Sequence, residues 1–103
     1  EQRFEDADRL LRAWLAVDPT NDEARGILAD LLSRARRFDD AETLFQTARR
    51  RQPDDLNLTT RYAHHLGRKG DYVGCRDLFT RVARADPASR ELARRNQARR
   101  PTP

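Results

Sequence analysis

Apolar residues along this chain recur at helical spacing, never in alternation. Leu28, Leu31, Leu32 and Ala35 fall on one face of a helix. Phe38, Ala41, Leu44, Phe45 and Ala48 do the same for the next segment. No stretch alternates with period two over a useful length, so no strand is predicted. Pro19, Pro53 and Pro87 stand 34 residues apart, each behind Asp18, Gln52 or Asp86. The same step carries Phe4, Phe38 and Tyr72; Ala7, Ala41 and Cys75; Leu10, Leu44 and Leu78; and Leu11, Phe45 and Phe79. Asn21, Asp55 and Ser89, all helix N-cap types, complete the pattern. A fixed period of this length marks a repeat architecture.

Each period has room for two helices. Asn21 caps the first, with Asp22 and Glu23 in its opening turn, where the helix dipole favours acids. Arg36 and Arg37 make the turn, and Pro53 stops the second helix. Gly70 and Asp71 make the corresponding turn one period later, where Gly can take the left-handed conformation. Helices are predicted near 4–17, 22–35, 38–51, 56–69, 72–85 and 90–99.

These registers resemble the tetratricopeptide repeat family, a 34-residue helix-turn-helix unit, over residues 4 to about 97. The small residues Ala29, Ala63, Ala7, Ala41 and Cys75, the bulky Leu11, Phe45 and Phe79, and the three prolines carry the likeness. The resemblance implies an all-α fold, a right-handed α-solenoid of antiparallel helix pairs. The chain then divides into the second helix of a partial repeat (1–19), two full repeats (20–53 and 54–87), and a polar capping helix with a basic tail (88–103). Arg25 and Thr59 depart from the family by standing at a bulky position, and Trp14 by standing at a small one. Trp14 is expected to fill space that a preceding helix would occupy.

The resemblance also implies a concave groove lined by the first helix of each repeat. Its groove-facing slots hold Glu23, Gly26, Asp30, Ser33 and Arg34, then Asn57, Thr60, His64, Gly67 and Arg68, and finally Glu91 and Arg94. Gly26 and Gly67 are expected to leave the floor shallow. The groove is expected to be acidic toward Glu23 and Asp30, and basic where His64, Arg68 and Arg94 converge. The family's carboxylate clamp needs Lys and Asn where this chain has Gly26 and Asp30, then Thr60 and His64, so it is not supported.

Composition changes the picture little. Charged residues are 37% and hydrophobic residues 37%, with mean hydropathy -0.99. Such values border on disorder, but the periodicity overrides them. No apolar run is long enough to span a bilayer, so membrane insertion is not expected. Residues 90–103 hold five arginines against Glu91 and carry the whole net charge of +4. Such a tail could touch nucleic acid or an acidic partner. Base-stacking aromatics are lacking, so nucleic acid is the less expected of the two. The preponderance of Arg over the single Lys69 suggests a bacterial source, and the absence of Met with Glu1 leading suggests a longer parent.

The chemistry of single residues adds no catalyst. One cysteine excludes an internal disulfide, and Cys75 reads as a small packing residue. His64 and His65 are adjacent, whereas helical metal ligands favour i, i+4. No metal, cofactor or Ser-His-acid set is suggested by spacing, so no enzyme is expected. The first reading is a non-catalytic scaffold, cytoplasmic by preference, that binds a peptide or protein segment in its groove or assembles with copies of itself. The alternative is a regulatory or anchoring module working through the Arg-rich tail.

Overall fold

A computed structural model describes residues 2–85 together with 87, 88, 94 and 95. Five helices run in order: α1 (Gln2–Val17), α2 (Asp22–Arg34), α3 (Phe38–Arg51), α4 (Leu56–Lys69) and α5 (Tyr72–Ala85). Among the described residues there is no strand. The fold is an all-α helical repeat, as the period predicts. The sixth predicted helix and the basic tail lie outside the described residues, except that Arg94 and Arg95 are helical and exposed.

Side-chain caps set the helix starts. Asn21 accepts from the Ala24 N–H at 3.0 Å, and Asp55 from the Leu58 N–H at 3.1 Å. Asp71 does the same for Gly74 at 2.9 Å, opening α5. Each cap satisfies an N–H that the helix leaves unpaired. The ends of α2 and α4 are built alike. Arg37 N–H reaches the Leu32 carbonyl at 2.9 Å, and Asp71 N–H the Leu66 carbonyl at 2.8 Å. Both turns need a left-handed residue. One period apart, Gly70 has φ 95° and Arg36 has φ 64°. An L side chain in that region costs roughly 1–2 kcal/mol, partly offset by glycine's greater chain entropy. Arg36→Gly should therefore raise stability by about 0.5 kcal/mol, and Gly70→Ala should lower it by a similar amount or more. Urea midpoints at constant slope measure both.

The helices bury one continuous core. α2 packs on α3 and on α4, α3 also meets α4, α5 lies on α4, and α1 lies on α2. Phe45, Leu28 and Leu32 are fully buried, with Ala29, Ala41, Ala48 and Ala63 at the helix crossings. Alanine there lets backbones approach, so small residues recur at these registers. Phe45 meets the Tyr62 ring edge-on, with centroids 5.3 Å apart. Arg25 and Thr59, the departures from the family pattern, take polar solutions. Arg25 binds Asp22 and the Pro19 carbonyl, and Thr59 donates to the Asp55 carbonyl at 2.9 Å.

Candidate peptide-binding groove

α2 and α4 lie side by side and run in the same direction. Gly26 faces Leu58 near their starts, and Ser33 meets His65 near their ends. α2 opens with Asp22 and Glu23 and α4 is capped by Asp55, while Arg34 closes α2 and Arg68 and Lys69 close α4. Their charges therefore add across the pair instead of cancelling.

Two clefts result, each of about 200 Å³. The first lies at the starts of the helices, between Asp22, Glu23 and Gly26 on one side and Asp55, Asn57, Leu58 and Arg61 on the other. Asp22 is already held by Arg25 and, at 3.0 Å, by Arg51. Glu23 and Asn57 are exposed there. The second cleft lies at the helix ends and is lined by Ser33, Arg34, Arg36, Phe38 and Arg68. The expected gradient ran from one repeat to the next. The observed one runs along the helices, because capping chemistry is repeated in each of them.

Asp30 sits between the clefts, and its side chain is only 7% exposed. It is ringed by Arg34 at 3.1 Å, Arg61 at 3.4 Å and Arg68 at 3.0 Å. A buried carboxylate needs such partners. Asp30 thus joins two repeats and does not form an acidic pole. Arg68 also donates to Ser33 Oγ at 3.1 Å. Substituting Glu for Arg68 would set a carboxylate against Asp30 and disturb the fold together with any ligand.

The remaining expected groove residues are dispersed. His64 is exposed and lies edge-on to Phe79 of α5, 5.1 Å between centroids. It thus turns within its own repeat, away from the convergence expected with Arg68. Thr60 donates back to the Leu56 carbonyl at 2.8 Å. Arg94 is exposed; Glu91 lies outside the described residues. The two glycines do not leave a shallow floor. A Cβ at Gly26 would stand 3.1 Å from Leu58 Cδ1, and one at Gly67 3.3 Å from Cys75 Sγ. Both positions are filled from the neighbouring helix. Arg61, and Arg36 and Asp55, which the sequence marks as a turn residue and an N-cap, also line the clefts.

A buried polar chain crosses three helices behind the groove. Ser33 Oγ lies 2.9 Å from His65 Nδ1, and His65 Nε2 lies 3.0 Å from Glu42 Oε1. Arg68 donates to Ser33 Oγ, which leaves the hydroxyl proton for His65 Nδ1. His65 Nε2–H then donates to Glu42, and the imidazole is neutral. Glu42 Oε2 accepts from the Tyr62 hydroxyl at 2.7 Å and from Gln46 at 2.6 Å. Spacing gave no hint of this trio, whose members come from α2, α3 and α4. Its order is that of a hydrolase relay, but Ser33 and His65 are fully buried. A nucleophile must reach its substrate. The chain acts as a polar bolt between repeats.

Titration of this cluster fixes a pH window. Burial pushes His65 below its ordinary value of 6.5, against the pull of Glu42. Burial would raise Glu42, but the Tyr62, Gln46 and His65 hydrogen bonds outweigh it and bring the carboxyl to about 2. Burial and Glu42 push Tyr62 up to about 12. The folded state therefore resists protonation of His65 and Glu42 and deprotonation of Tyr62. Stability should fall as pH drops below 6.5, fall further below 4.5, and fall again above 10. Melting temperatures across this range check the window, and His65→Leu should remove the step that begins at 6.5.

Comparison with known proteins is consistent with this architecture. A family model described as tetratricopeptide repeat matches residues 1–64, which span α1, α2, α3 and the first part of α4. No curated protein matches the chain.

Proposed function

This chain belongs to the tetratricopeptide repeat family, and on that premise we propose that it is a non-catalytic scaffold that binds an extended peptide or protein segment along α2 and α4. Repeats of this family are in general interaction modules. The observation that carries the reading is the pair of oppositely charged clefts at the two ends of one helix pair. A segment crossing them would place a basic or amide side chain near Glu23 and Asn57. It would place a carboxylate near Arg34 and Arg36, where Arg offers bidentate bonds. Glu23 and Arg34 are eleven residues apart on α2, or about 16 Å along the axis. An extended chain covers that in about five residues. The ligand is therefore a segment with opposite charges about five residues apart, and the charge order fixes its direction.

Calorimetry with two synthetic peptides, Lys and Asp five residues apart in either order, tests this. One order should bind at least tenfold more tightly, about 1.4 kcal/mol. Glu23→Lys and Arg36→Glu should each weaken the preferred peptide, while Arg76→Glu on exposed α5 should not. Equal affinity for both orders, or an equal loss from Arg76→Glu, would rule out the groove as the binding surface.

A further inference from the structure

The basic cleft carries more positive charge than a carboxylate can balance. It is lined by Ser33, Arg34, Arg36, Phe38 and Arg68, none of them acidic. Asp30 is a single carboxylate shared among Arg34, Arg61 and Arg68. It leaves those guanidiniums a net surplus, and its closest contacts take only Nη2 of Arg34 and Nη1 of Arg68. A guanidinium has five N–H donors, so the others can still bind an anion. Behind Ser33, Glu42 is offset by Lys69.

Arg36 adds a further charge. It is exposed and makes no ion pair among the described residues. Its backbone stands at φ 64°, where an L side chain is strained, whereas the equivalent turn one period on is made by Gly70 at φ 95°. The turn itself needs only glycine's conformation. A strained residue held at the rim of a cleft points to a task for its side chain.

Resting on the groove assigned above, we propose that the basic cleft receives a phosphorylated side chain, a phosphoserine or phosphothreonine, of the segment bound along α2 and α4. A phosphomonoester carries about −1.5 to −2 charges at pH 7 and three acceptor oxygens. A carboxylate offers one charge and two oxygens. Arg34, Arg36 and Arg68 come from the last turn of α2, the turn after it and the last turn of α4, so they address different oxygens. Asp30 holds Arg34 and Arg68 in place beforehand, which lessens the cost of ordering them.

Calorimetry with three peptides tests this. Each carries Lys and, about five residues away in the order that binds more tightly, phosphoserine, Asp or Ser. The phosphoserine peptide should bind about tenfold more tightly than the Asp peptide, or better, and the Ser peptide more weakly than either. Arg36→Gly should cost the phosphoserine peptide about tenfold and the Asp peptide less than about threefold. Glycine suits the backbone at that turn, so a loss of binding there is not a loss of fold. Equal affinity for phosphoserine and Asp, or equal losses from Arg36→Gly, would overturn the phosphate assignment and leave the groove standing. Binding by none of the three peptides would remove the groove and the phosphate site together. Displacement of the phosphoserine peptide by inorganic phosphate or a single-stranded oligonucleotide, at equal phosphate concentration, would also overturn the assignment, by showing a site for any phosphate instead of one on a protein segment.

Discussion

Glu42→Leu is expected to lower the stability of the fold by about 2–4 kcal/mol. The carboxylate accepts from His65 and Tyr62, and both of those residues are buried. Each buried donor left without an acceptor costs about 1–3 kcal/mol. The loss should shrink when His65→Leu is added, because one orphaned donor is then gone. The chain itself points to leucine, since Leu31 stands one period before His65. A double-mutant cycle in urea should therefore give a coupling of about 1–2 kcal/mol. Strict additivity would mean that Glu42 and His65 do not act as a pair.

Ala41→Leu is expected to cost about 1–3 kcal/mol by overpacking. Ala41 has no exposure and lies where α2 and α3 cross. Ala7 holds the same register one period earlier but is only partly buried. Ala7→Leu should therefore change stability little, although the two substitutions are chemically identical. Thermal melts of the pair compare the crossings directly. Equal losses would mean that α1 is as tightly covered as α3.

The helices were legible because caps, period and turn residues agree. Asn21, Asp55, Pro53 and Gly70 each act within a few residues of their own position. The charge layout of the groove was not legible in the same way. Asp30 looks like a free acid in its own repeat, and its partners Arg61 and Arg68 come from 31 and 38 residues further on. The pairing depends on how two helices are spaced, which no local pattern encodes. Ser33, Glu42 and His65 were hidden for the same reason. Each is an ordinary helical residue until α2, α3 and α4 come together. Trp14 was legible as an anomaly, and the structure gives it a place on an uncovered face.

The contact at Gly26 has a mechanical consequence. α2 and α4 line the inner side of the arc, and the space over Gly26 is already taken by Leu58. A methyl group there could be admitted only by moving Leu58 or prying the two inner helices apart, while the outer helices kept their spacing. Gly26 thus sets how closely α2 can approach α4, and a single added carbon would press on Leu58 by a few tenths of an ångström without touching any charge in the clefts.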